Sequence, residues 1–78
     1  MNNFDTFMIV YKKQLKDAVV NYPQEYQFPI ESVPDVVEKM GEGFNRGTYN
    51  KDGRAIKATC KELGIKYTYT AINEYLRH

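Results

Sequence analysis

Tryptophan is absent, cysteine and histidine occur once each, proline occurs three times, and neither sign of charge prevails: 11 Lys+Arg face 10 Asp+Glu for a formal net charge of +1. Each shortage excludes something. Cys60 alone cannot close an intramolecular disulfide, and with His78 as the lone histidine the chain cannot supply the Cys/His set of a zinc site. A balance this close to zero rules out a polyanionic nucleic-acid mimic, and 78 residues rule out a multidomain enzyme. The longest apolar run, Phe7 to Tyr11, is far short of the roughly 20 residues a membrane span requires. The first cation is Lys12, so the N-terminal stretch lacks a basic n-region and is expected to be no signal peptide. A single cysteine fits a reducing cytoplasm.

Apolar residues make up 42% of the chain and aromatics 14%, the latter as seven Tyr and four Phe. That share is high for a chain that buries only about 60% of its unfolded surface. Some tyrosine rings must therefore sit at the surface, and a partner, DNA or a second copy of the chain is a natural source of added stability.

The apolar spacing reads as helices throughout. Asp5 is the expected N-cap of a first helix over about residues 5–21, with a staple from Phe4 to Ile9 and an inward face of Met8, Tyr11, Leu15, Ala18, Val19 and Tyr22. Pro23 ends it. Residues 23–31 form a loop whose Tyr26 and Phe28 pin it to the helices. Ser32-Val33-Pro34-Asp35 is a start signal for a second helix with Val33, Val36, Val37, Met40 and Phe44 on one face. Gly47 is its expected stop, with a close helix crossing at Gly41 and Gly43, or an early end near Gly41, as the alternatives. Asn50 or Asp52 caps a third helix with Ala55, Ile56, Cys60 and Leu63 inside, and Gly64 terminates it. In the last segment Ile65, Tyr69, Ile72 and Leu76 keep helical spacing, although Lys66 to Thr70 alternate like a strand. No second strand is available to pair with it, so a helix from Tyr67 or Thr68 is expected. The fold class is all-α: one domain over 1–78, a compact bundle of about four short helices.

Charge is divided unevenly along the chain. Residues 1–40 hold four lysines against six carboxylates, and residues 41–78 hold seven cations against four carboxylates. The basic half carries Tyr49, Tyr67, Tyr69 and Tyr75 between its Lys and Arg, a mixture suited to phosphate contacts beside aromatic surfaces. A plain solvated helical face is the competing reading. Catalysis is not expected. Cys60 occupies a core position with no base beside it, and His78 stands at a terminus. Asp35, Glu38 and Glu42 share a helix face as solvated carboxylates. Gly41-Glu42-Gly43 and Gly47 lack the lysine and hydroxyl of a phosphate loop, so neither cofactor nor metal is implied.

Thr59-Cys60-Lys61-Glu62-Leu63-Gly64-Ile65 followed by Ala71-Ile72-Asn73 resembles the helix-turn-helix of phage repressors of the Cro type. The resemblance implies a close helix crossing at Cys60, a turn at Gly64, a joint sealed by Ile65 and a second helix in the major groove. It further implies Thr68, Tyr69, Thr70 and Asn73 at base edges and Lys66 and Arg77 on phosphates; Lys57 and Lys61, from the basic half, are further candidate contacts. The chain departs from the family at Lys66-Tyr67, which reads as an insertion that lengthens the turn. Over its whole length, and most of all at Asn50 to Lys57, the chain also looks like short phage and prophage proteins that act by binding. Two functions follow for the bacterial host cytoplasm, both without membrane contact and with a homodimer allowed: a DNA-binding regulator, or an inhibitor that docks on a host enzyme or a defence nuclease complex, in the manner of an anti-CRISPR protein, through Tyr67 and Tyr69.

Overall fold

The 19-residue helix α1, Asn3–Asn21, is the axis on which the other elements pack in a computed structural model that describes residues 2–78. Met1 and the side chain of Lys51, one of the cations counted above, lie outside the described residues. α1 starts earlier than its spacing suggests because Asn2, not Asp5, is the cap: Asn2 Oδ1 accepts the Asp5 N–H at 2.8 Å. Asp5 falls instead in the first turn, where a carboxylate faces the positive end of the helix dipole. The Phe4–Ile9 staple does not form, since Ile9 is 57% exposed. Phe4 turns toward Gly41, where an added Cβ would lie 3.4 Å from its ring. The inward face of α1 is Phe7, Tyr11, Leu15, Ala18 and Val19. Tyr22, expected on that face, is 43% exposed because the chain leaves the helix there.

The carbonyl of Tyr22 accepts from Glu25 and Tyr26 N–H, closing a turn that carries Tyr26 inward. Tyr26 is buried and meets Phe28 edge to face at 6.2 Å, so this loop is pinned by its aromatics as expected. A 3-10 turn, Ile30–Ser32, runs directly into α2, Val33–Gly41. Ser32 makes no side-chain cap. Ser32 N–H already bonds Pro29 O, so α2 continues a turn that has begun and needs no hydroxyl to start it. α2 ends at Gly41, the earlier of the two expected stops, with Gly41 against Phe4 and Met8 of α1.

The residues beyond hold a correction. Phe44 is not on α2, and Gly47 stops nothing: it lies in the first turn of a short additional helix, α3, Arg46–Lys51, capped by Asn45 Oδ1 on the Thr48 N–H at 3.0 Å. α4, Gly53–Leu63, follows at once and buries Ala55, Ile56, Thr59 and Cys60, while Leu63 is only half-buried. Thr59 satisfies its buried hydroxyl by donating to Ala55 O at 2.7 Å. Gly64, at φ 71°, closes α4 in the left-handed conformation that glycine adopts without a Cβ clash, as its position in the sequence implies. Residues 65–68 are non-helical, and α5, Tyr69–Leu76, begins after Thr68, whose hydroxyl accepts the Ala71 N–H at 3.1 Å. The strand-like alternation of 66–70 thus resolves into one extended capping residue and a helix start.

No strand occurs among the described residues, and the architecture is an all-α compact bundle. α2, α4 and α5 all pack on α1, and α4 and α5 take α1, rather than each other, as their main partner. The shared core is Phe7, Tyr11, Leu15, Val33, Ile56, Cys60 and Ile72. Among the described residues no helix is long and apolar enough to cross a membrane.

Candidate functional site

The start of α4 and the end of α1 lean together around a groove of about 850 Å³, closed at one end by the turn at Tyr22 to Tyr26. Its architecture rests on Arg54. The guanidinium donates to both carboxylate oxygens of Glu25, at 2.7 and 3.1 Å, and lies 3.7 Å above the Tyr22 ring. These hydrogen bonds hold the Glu25 carboxyl below the usual carboxylate range and raise Arg54 in turn. A second link joins α4 to α1 itself: Lys13 pairs with Glu62 at 2.8 Å, and Gln14 donates to the same carboxylate oxygen at 3.1 Å. Lys57 and Lys61, one turn apart on α4, line the groove without an ion pair among the described side chains.

Tyr67 reaches the groove from the α4–α5 connection, and the reason it fits is Gly53: a Cβ there would stand 3.0 Å from the Tyr67 hydroxyl. Burial raises that hydroxyl's pKa. The Tyr67 ring packs 5.1 Å from Tyr49, whose hydroxyl donates to the Tyr67 carbonyl at 3.4 Å. Tyr49 in turn meets Tyr69 edge to face at 6.2 Å, Tyr69 stacks on Phe44 at 5.6 Å, and Arg46 covers the Tyr69 ring at 4.5 Å. This chain of rings ties α3 and the residues before it to α5.

The expected site residues therefore fall into three groups. Lys57, Lys61 and Tyr67 share the groove. Tyr69 belongs to the aromatic chain, and Thr68 serves as the cap of α5. Thr70 and Asn73 on α5 and Arg77 just after it recur at three- and four-residue spacing, with Thr70 and Arg77 exposed and Asn73 half-buried; Lys66 is exposed in the connection. Neither these four residues nor Thr68 and Tyr69 line the groove.

No family model, curated protein or solved structure matches the chain.

The strongest polar constellation was not among the expected residues. Asp52, read from the sequence as a helix cap, stands before α4 but makes no side-chain cap. Its Oδ2 accepts from the Tyr11 hydroxyl and its Oδ1 from the Tyr26 hydroxyl, the latter at 2.6 Å, while Tyr26 Oη also accepts the Ala55 N–H at 3.3 Å. Burial, reinforced by the Asp52 carboxylate, holds both tyrosines protonated well above their ordinary range. The one available signal was a surplus: Asn50 and Asp52 offer two caps for a single helix start. Cys60, buried on α4, has its thiol pushed up to about 11 by that burial, which leaves little thiolate for nucleophilic chemistry. Among the described residues no group of three or more His, Cys, Asp or Glu could hold a metal ion.

Proposed function

We propose that the protein is a small DNA-binding regulator that works by binding rather than catalysis, with α4, α5 and their connection as its DNA-facing surface. The observation that carries this reading is the state of the cations. Lys57, Lys61, Lys66 and Arg77 are exposed and take part in no ion pair among the described side chains, a state they share with Lys16, Lys39 and Arg46; these four fall together on α4, its connection to α5 and the residue after α5. Phosphates are the natural partners of such unpaired cations. Thr70 and Asn73 supply polar side chains for base edges, and an asparagine can pair with adenine through two hydrogen bonds. The alternative, an inhibitor that docks on a host enzyme through Tyr67 and Tyr69, draws less support. Both rings are half-buried and engaged with neighbouring rings, whereas an interface anchor must be free to enter a partner's pocket. A phage-type regulator in the cytoplasm of a bacterial host agrees with this reading, and a homodimer would present two such surfaces to a two-part operator.

Fluorescence anisotropy on a set of duplexes at varied salt tests it. Reversing Lys57, Lys61 and Lys66 to Glu is expected to weaken binding to every duplex and to make the salt slope shallower by about one per lost phosphate contact. Asn73→Ala is expected to relax sequence preference instead. Unaltered protein that shifts no duplex at low salt sinks the DNA reading. Capture of a host enzyme that is lost in Tyr67→Ala or Tyr69→Ala would then favour the inhibitor.

A further inference from the structure

Beside Asp52 a second cavity of about 410 Å³ opens between the 25–28 segment, α2 and the junction of α3 with α4. Phe28, Val36 and Met40 give it an apolar lining, and Tyr11, Tyr26 and Asp52 bring polar groups to it. This is the usual composition of a small-molecule site: mostly apolar walls and a few convergent polar groups, at a volume within the common range of roughly 300–1,000 Å³.

The charge of the cavity defines what it would take. Asp52 accepts one hydrogen bond on each carboxylate oxygen, from Tyr26 and Tyr11. A carboxylate offers about four lone-pair positions, so about two are left. They are not spent on α4, which Asp52 does not cap, nor on any described cation, since Asp52 forms no ion pair among the described side chains. Tyrosine hydroxyls donate without neutralising. Glu25 also borders the cavity, with its charge matched by Arg54, and Lys39 borders it without pairing to Asp52. A partly buried carboxylate thus faces an aromatic and thioether pocket with its negative charge uncompensated by any described side chain.

We propose that this cavity binds an organic cation with a flat apolar body, such as an aryl amidinium, its charged end on Asp52 and its body against Phe28, Val36 and Met40. The aromatic rings of the lining add an attraction for positive charge that a neutral ligand would not feel. The cavity is lined by none of the cations of the preceding reading, and Asp52 selects for a ligand of the opposite charge.

Benzamidine and benzamide, nearly identical in shape and differing in charge, test the proposal by backbone-amide NMR titration of the full chain. Benzamidine is expected to produce saturable shifts at Tyr26, Phe28, Thr48 and Asp52. Benzamide should bind at least about tenfold more weakly, the scale of one charge-assisted hydrogen bond. Asp52→Asn, with helix content checked by circular dichroism, is expected to erase the difference between the two probes. Lys39→Gln changes only an exposed side chain at the cavity and should tighten benzamidine by about twofold through loss of like-charge repulsion, independent of any effect on the core. Equal affinity for the two probes, benzamidine shifts confined to the carboxylates of α2, or a Lys39→Gln variant that binds no more tightly overturns the proposal.

Discussion

Tyr11 and Tyr26 are deep in the protein and depend on one acceptor; Tyr49, Tyr67 and Tyr69 are half-buried and depend on each other. In the first region the rings enter the core only because a carboxylate from a distant segment receives both hydroxyls. In the second the rings share no single acceptor and are held by a run of contacts from Phe44 to Tyr67, with Arg46 over Tyr69. The same residue type thus serves two designs. One is concentrated, so that a single substitution removes its basis; the other is distributed, so that each contact contributes a fraction and the loss of one leaves the rest.

Both regions rest on the core beneath α1, and breaking that should have the largest effect. Phe7, fully buried, touches Tyr11 on one side and Tyr75 on the other. Phe7→Ala is expected to cost about 3–5 kcal/mol in urea unfolding. Next comes the concentrated region. Asp52→Ala leaves two hydroxyls without their acceptor and is expected to cost about 1–3 kcal/mol for each one that stays dry. A double-mutant cycle with Tyr11→Phe and Tyr26→Phe should recover part of that loss, and simple additivity would mean that the carboxylate does not couple the two rings.

Alkaline titration separates the regions without mutation. Tyr11 and Tyr26 have folded pKa values above the ordinary 10.0, so the folded state keeps their protons while the unfolded state releases them. Their contribution is fully present below pH 10 and is lost as pH rises beyond it, by about 1.4 kcal/mol per pH unit for each tyrosine until the folded values are reached. The stability curve of Tyr11→Phe with Tyr26→Phe should be visibly flatter above pH 10, and an unchanged slope would break the comparison. The distributed region supplies the smallest effect. Arg46→Ala removes one cation from one ring and is expected to cost about 0.5–1 kcal/mol, measured as a small shift in urea midpoint.

What the sequence made legible follows physical range. Apolar spacing located α1, α2, α4 and α5, and Gly64 marked the end of α4, because periodicity and a left-handed glycine are decided within a few residues. The caps were harder. Asn2 takes the place of Asp5 because both lie within one turn and offer equivalent side chains, and Asn45 caps a helix where Gly47 reads as a stop. α3 is a helix of 6 residues with glycine in its first turn, too short for a periodic signature. Of the candidate site, the exposed lysines were legible as polar positions on helical faces. The Asp52 clamp was not, since it joins residues 41 and 26 positions apart and leaves no local trace.

That separation also orders events during synthesis. α1 leaves the ribosome before its main cover, α4, which begins only at Gly53. Until then the stripe of Phe7, Tyr11, Leu15 and Val19 has no complete partner surface, and closing the loop to Asp52 costs chain entropy before any contact repays it. A nascent chain halted before α4 therefore displays an apolar stripe that α2 covers only in part, the kind of surface that chaperones cover and that aggregates when left alone. Translation of the last third of the chain is the step that turns this helix from a hazard into a scaffold.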